Sequence, residues 1–375
     1  MPNYFATCAR GLEPLLANEL RGIGADDVRP GRGGAAFTGD VAHLYEANLW
    51  LRTAVRVLRP VLEAHMESPD ELYTAVQSVD WAQFMTPDHT LAVDCNVRDS
   101  RITHSQYAAR RVKDAICDQF VARVGRRPSV DVERPMVGLN LHIYRDDAVL
   151  SLDSSGDSLH KRGYRPVLTK APLNEAVAAG LILSTGWTGK TPLVDPMCGS
   201  GSLPIEAAWL ALRRPPGLTR KHFGFMGWMD FDIGLWTMMR DEARRRVSTK
   251  LPASIGGSDI RADAIEHARA NARAAGIGNL LTFERTHLKD FRPPDGPPGV
   301  VICNPPYGER IGDERELRPL YRQMGEVFSG RCRGWACYVF TSNYAPWREI
   351  QMKPAAVTPF WNGKIACRLL RYNPT

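Results

Sequence analysis

"TPLVDPMCGSGSLPIEAAWLAL", Thr191 to Leu212, passes from an apolar run through a glycine-rich turn into a stretch of helix formers. This order brings backbone amides and a helix N-terminus to the carboxyl end of a strand, where open α/β sheets hold their ligands. Gly199 and Gly201 let the chain turn tightly. The GxG pair alone is a weak signal. Pro204 stands where the dinucleotide fingerprint has its third glycine, and the P-loop lysine is absent, so neither NAD, FAD nor a P-loop nucleotide is indicated. Asp195, at the strand tip, puts a carboxylate where a cationic ligand group fits better than a pyrophosphate. S-adenosylmethionine, with its ammonium and sulfonium, carries such groups.

The pattern continues outward. "SIGGSDIRADAIEHARANARAAGIG" (254–278) repeats strand then helix, with Gly276 as the stop. "GVVICNPPYG" (299–308) is a further strand and turn, and "GWACYVFTSN" (334–343) another strand. "PFWNGKIACRLLRY" (359–372) places Asn362-Gly363 between two strand-like runs, a hairpin signal. Apolar runs alternating with helices predict a doubly wound parallel sheet, here finished by an antiparallel hairpin. Asp259 ends the strand after the glycine turn. It suits either the two hydroxyls of a ribose or the N-cap of the helix that follows, and the neighbouring glycine turn favours the ribose.

In "VICNPPYGER" (301–310), proline cannot donate to a strand ladder, so the strand must end at Asn304 in a rigid turn. If the strands ending at Asp195 and Asn304 are neighbours, a methyl donor and this turn face each other across one crevice. An exocyclic amine on a base is a poor nucleophile because its lone pair is delocalised. Hydrogen bonds from the amine to the Asn304 side-chain oxygen and the Pro305 carbonyl would favour the tetrahedral nitrogen that attacks the methyl. Tyr307 could stack on the base, or simply pack inside.

Lys and Arg number 48 against 41 Asp and Glu, a net charge of +7 that favours a polyanionic partner without proving one. No apolar stretch is long enough to span a bilayer, and the N-terminus has no charged-then-apolar leader, which predicts a cytoplasmic protein. The 8 cysteines show no CxxC pair and no zinc spacing; reduced, buried thiols are expected and no metal is called for. Cys198, although in the glycine turn, has no base beside it and is taken as a packing residue.

Before the linker "SGDSLHKRGYRPVLTKAPLN" (155–174) the chain has two α+β units. Residues 1–65 begin with the helix "GLEPLLANELRGIG" (11–24). Residues 66–155 carry strand-like "HTLAVDCNVRDS" (89–100) and "GLNLHIYRDDAVLSLDSS" (138–155) around the helix "SQYAARRVKDAICDQFVARVG" (105–125). The main boundary is placed near His160. "RRPPGLTRKHFGFMGWMDFD" (213–232) interleaves cations with aromatics, a mixture suited to RNA and equally to an amphipathic flap covering the sheet. "RVGRRP" (123–128) is a second basic patch or a solvated helix end.

"TCARGLEPLLANEL", "LYEANLWLRTAVRVL", "SLDSSGDSLHKRGYR", "APLNEAVAAGLIL", "LVDPMCGSGSLPIEAA", "CNPPYGER" and "NGKIACRLLRY" together span nearly the whole chain. Through them the sequence resembles class I S-adenosylmethionine-dependent RNA methyltransferases with an N-terminal THUMP domain, in particular the guanine-N2 modules of fused bacterial 23S rRNA methyltransferases. The resemblance implies a ferredoxin-like domain over 1–65, a THUMP RNA-binding domain over 66–155 and a Rossmann-like methyltransferase domain over 161–375. It implies catalysis by Asn304, Pro305, Pro306 and Tyr307. It implies cofactor contacts at Asp195, Cys198, Gly199, Gly201, Asp259, Ile260, His287, Leu288 and Asn304. The family usually has an acid where His287 stands, and either His287 or Asp290 takes over the adenine contact. Structured RNA is the expected partner, rRNA ahead of tRNA. A non-catalytic RNA-binding or ribosome-assembly factor is the rival from another class.

Overall fold

A computed structural model describes residues 1–165, 173–307, 314–342 and 344–375. Residues 166–172, 308–310 and 343, which belong to stretches quoted above, lie outside the described residues.

The N-terminal part runs β1 (Asn3–Cys8), α1 (Glu13–Gly22), β2 (Asp26–Gly31), β3 (Gly34–Thr38), α2 (Val41–Trp50), β4 (Ala54–His65), α3 (Pro69–Gln77), β5 (Thr90–Arg98), α4 (Ser105–Val124), β6 (Ser129–Val130), β7 (Val137–Tyr144) and β8 (Asp147–Asp153). Asp40 and Ser68 cap α2 and α3 by accepting backbone N–H groups, and Gly125, at φ 72, ends α4. The two α+β units expected from the sequence share one sheet of order β2-β3-β1-β4-β8-β7-β5-β6. β4 and β8 join them, antiparallel from Leu58↔Asp153 to His65↔Asp147. Their apolar residues, from Leu16 and Phe37 to Leu72, Phe120 and Leu139, form one continuous core.

The second part runs α5 (Glu175–Ser184), β9 (Leu193–Asp195), α6 (Ser202–Ala211), α7 (Ile233–Arg245), β10 (Ile255–Asp259), α8 (Ala262–Ala274), β11 (Thr282–Arg285), β12 (Val300–Cys303), α9 (Glu314–Arg331), β13 (Ala336–Ser342), β14 (Ala356–Asn362) and β15 (Ile365–Tyr372). Its sheet has the order β11-β10-β9-β12-β13-β15-β14. β9 to β13 are parallel neighbours, and β15 is antiparallel to both β13 and β14. Side chains alternate across β12. Val300 and Ile302 join the core formed with α5, α6 and α8, whereas Val301 and Cys303 join the core formed with α9. Helices therefore cover both faces, which is why β12 (Val-Val-Ile-Cys) is apolar without interruption. The hairpin turns one residue later than expected: Asn362 pairs with Ile365, leaving Gly363 (φ 60) and Lys364 at the tip. The 8 cysteines are unpaired, with Cys8 and Cys95 half-buried and the others buried.

The 213–232 segment neither meets solvent with its aromatics nor covers the parallel sheet. Its Phe223, Phe225 and Trp228, together with Trp236 of α7, lie in the N-terminal core. Tyr45 of α2 lies tilted against Phe225 at 4.5 Å and meets Trp236 edge-on at 5.7 Å, and its hydroxyl accepts the N–H of Asp232 at 3.0 Å. Gly224 is required here, because a Cβ would sit 2.2 Å from the Asp153 carbonyl oxygen. Burying four large rings removes far more apolar area from water than RNA stacking would, so the RNA expectation for this segment is replaced by fastening of the second part to the first.

Candidate active site

Three carboxyl ends meet at the centre of the second sheet. β9 lies between β10 and β12, with Gly257 opposite Asp195 and Val301 opposite Val194. The strand order reverses direction there, which opens a crevice above the carboxyl ends. Asp195, Asp259 and Asn304 sit at this edge.

Asp195 is buried, and one carboxylate oxygen accepts the N–H of Met197 at 3.0 Å. Burial, with the Asp259 charge adding to it, pushes its carboxyl well above the usual range. Its counterpart Asp259 is bound by backbone on both sides: Oδ2 accepts from Gly199 N at 3.0 Å and Oδ1 from Arg261 N at 3.0 Å. The residue in the cap position of α8 is Arg261, which makes no side-chain cap. Asp259 thus ties the glycine turn to the β10–α8 turn and is no simple helix cap.

The two glycines differ. Gly199, at φ 51, has open space where a Cβ would be, whereas at Gly201, φ 83, a Cβ would press against Ala268 and Phe283 at 3.1 and 3.2 Å. Gly199 accordingly leaves the crevice clear and Gly201 lets α6 approach α8. Asn271, fully buried in α8, donates to the Ser200 carbonyl at 2.9 Å and so braces the turn from behind. Cys198 packs against Gly257 in the core, as its reading as a packing residue expects.

Beside Asp259, Ile260 is 53% exposed, an apolar surface at the crevice rim. Leu288 is buried. His287 Nδ1 accepts the N–H of Lys289 at 3.2 Å. Asp290 is exposed.

In the NPPY turn, Pro305 is buried and Asn304, Pro306 and Tyr307 are half-buried. The Asn304 Oδ1 atom is buried and finds no hydrogen-bond donor among the described residues. Tyr307 is pinned: Asn362 Nδ2 donates to its hydroxyl at 3.1 Å, and its ring meets Phe340 edge-on at 6.0 Å. The Pro306 carbonyl accepts from the Tyr321 hydroxyl at 3.4 Å.

Sequence reading also missed the support behind α6. Arg52, from the loop after α2, donates to the Trp209 and Arg214 carbonyls at the end of α6. Tyr164 donates to Glu206 at 3.1 Å, with Arg162 beside that carboxylate at 3.5 Å, and Arg165 donates to Ser202 Oγ at 2.8 Å. Arg162 and Glu206 are both buried, in a network that joins linker, first part and second part. The dense Arg/Tyr content of the linker was the only signal in the sequence.

A doubly wound sheet with an antiparallel hairpin edge, a glycine turn on its central strand and an NPPY turn on the next is the architecture of a Rossmann-like methyltransferase. Residues 162–371 match the family described as "RMKL-like, methyltransferase domain", residues 3–58 the "RlmL ferredoxin-like domain" and residues 67–153 the "THUMP domain". The chain is 47% identical over 380 residues to a ribosomal RNA large subunit methyltransferase K/L of Syntrophotalea carbinolica, covering 99% of this chain and 53% of that protein. It is 42% identical to a provisionally named RNA methyltransferase of Synechocystis, covering 98% and 96%. Among solved structures, a provisionally assigned methyltransferase complexed with SAH superposes with a TM-score of 0.91 at 30% identity, covering 100% and 98%. The chain belongs to the RMKL-like methyltransferase family, and it spans about half the length of the K/L relatives it matches.

Proposed function

We propose that the chain transfers a methyl group from S-adenosylmethionine to the exocyclic N2 amine of a guanosine in RNA, with large-subunit rRNA as the substrate. One observation carries this reading. Asn304 Oδ1 is a buried acceptor with no donor among the described residues, at the strand end beside the glycine turn. A buried acceptor without a partner costs about 1–3 kcal/mol, and an incoming amine supplies the missing donor.

The residues present fit the cofactor. Gly199 leaves room for it beside the N-terminus of α6, Asp259 would take the ribose hydroxyls, and Ile260 and Leu288 would supply apolar surface for the adenine ring. Because His287 Nδ1 already accepts from Lys289 N, its Nε2–H is left to donate. That group is a donor, so His287 would meet a ring nitrogen of adenine and leave the adenine amine to another acceptor, such as Asp290. When bound, S-adenosylmethionine supplies the electrophilic methyl. Asn304 and the Pro305 carbonyl hold the target amine through its two N–H bonds, which turns the nitrogen lone pair towards that methyl. No strong base is required, since the nitrogen sheds its proton to solvent only after it has become cationic. The N-terminal sheet would hold the RNA, in keeping with its THUMP match.

Mass mapping of RNA from a strain lacking this chain, compared with its parent, tests the reading. Loss of one N2-methylguanosine from large-subunit rRNA is expected. Loss from tRNA alone would reassign the substrate, and unchanged RNA would overturn the activity.

A further inference from the structure

The ring of Tyr307 is held from a second element. Its backbone follows two prolines, and its hydroxyl accepts from Asn362 Nδ2 at 3.1 Å. Asn362 is the last residue of β14, where Pro359 to Asn362 pair with Ile365 to Arg368 of β15. The same stretch is anchored on both sides. Phe360 meets Phe340 edge-on at 6.1 Å, and the Arg10 guanidinium of the N-terminal part lies 4.0 Å over the Trp361 ring. Phe340 in turn meets the Tyr307 ring at 6.0 Å.

We infer that Asn362 is a positioning residue for the target base, acting through the Tyr307 hydroxyl to fix the plane on which the base stacks. This rests on the reading of the NPPY turn given above and takes Tyr307 as the ring on which the target base stacks. A tyrosine ring turns about two side-chain torsions. Phe340 meets the ring edge-on and the hydroxyl also bonds the Cys367 thiol; the amide of Asn362 adds a donor at the far end, where a small rotation moves a stacked base most. A displacement of about 1 Å at the reacting atom costs on the order of 10²-fold in rate, so the bond has a kinetic effect even if it adds little to stability. A purely structural role for Asn362 would instead be to pin the hairpin, whose strands are already joined by a full ladder of pairs.

The test is a double-mutant cycle on the full chain, with Asn362→Ala, Tyr307→Phe and the pair. Total RNA from a strain lacking this chain serves as methyl acceptor and tritiated S-adenosylmethionine as donor. Asn362→Ala is expected to lower kcat roughly tenfold, with the KM for RNA, the cofactor Kd and the melting temperature close to wild type. In the Tyr307→Phe background it should cause no further loss. Additive losses, or a wild-type kcat in Asn362→Ala, overturn the inference. Asn304→Ala run alongside separates the two failures. If that variant is inactive while Asn362→Ala is unaffected, only the role of Asn362 falls; if Asn304→Ala stays active, the reading of the turn itself falls.

Discussion

Asp259 Oδ2 accepts the backbone N–H of Gly199 at 3.0 Å, so the acid assigned to the ribose also holds the turn that clears space for the cofactor. Asp259→Ala removes both. Each charge-assisted hydrogen bond is worth about 1.5–3 kcal/mol, so calorimetric titration with S-adenosylmethionine should show at least a tenfold weaker Kd. An unchanged Kd would mean that Asp259 only braces the backbone.

Asn304→Ala should behave in the opposite way. The side chain is assigned to the target amine, so methyl transfer is expected to fall by at least 10²-fold while the cofactor Kd stays within about twofold. Removing an acceptor that lacks a partner among the described residues should also leave the melting temperature unchanged or slightly raised. Activity within a few-fold of wild type removes the catalytic role.

His160 sits in the linker, with Ser158 Oγ 2.6 Å from its Nδ1. Burial pushes its imidazole down to about 4, helped by the positive charges of Arg162, Lys161, Arg165 and Arg220. The unfolded chain therefore binds a proton below about pH 6.5 that the folded chain refuses until about pH 4, and stability is lost as pH falls through that window. His160→Gln should lose less. Chemical denaturation at pH 7 and pH 4.5 should show the gap between the two proteins change by about 1–3 kcal/mol in favour of the variant. Parallel curves would show that His160 titrates normally.

Trp236→Ala strips a buried ring from the N-terminal core, a change that typically costs about 3–5 kcal/mol. The expected result is a melting temperature lowered by several degrees. If instead RNA affinity dropped with the melting temperature intact, the ring would belong to an RNA surface after all. The same packing bears on truncation. A fragment starting at residue 161 keeps every assigned site residue, yet it exposes Phe223, Phe225, Trp228 and Trp236. It should aggregate or bind hydrophobic dyes, whereas the full chain should not.

What could be read in the sequence was the part dictated by backbone chemistry. Gly199 and Gly201 needed positive φ, and Pro305 and Pro306 had to end a strand, so both turns stand where expected. Pairings between distant segments were not legible. Nothing local in β4 announces β8 as its neighbour, and β7 and β8 were read as one strand-like segment. The turn between them, Arg145 and Asp146 at φ 52 and 66, contains no glycine or asparagine to betray it. β11, with a single buried residue in Thr282–Arg285, was too short and polar to register. Composition also could not say which way an aromatic points: the rings of residues 213–232 suited RNA until Tyr45 proved to be their neighbour. Asn362 was taken for turn chemistry, and its amide is spent on Tyr307.

Helix α6 carries the glycine turn at its start and is gripped by Arg165 there, by Tyr164 at Glu206 and by Arg52 at its end. The two halves of the chain are therefore not interchangeable cassettes. A recombinant that joined the first 160 residues of one relative to the remainder of another would pair Arg52 with another protein's Trp209 and Arg214 carbonyls, and Tyr45 with another protein's insert. A chimaera that crosses over near residue 160 is therefore best built with Tyr45, Arg52 and residues 213–243 taken from the same parent.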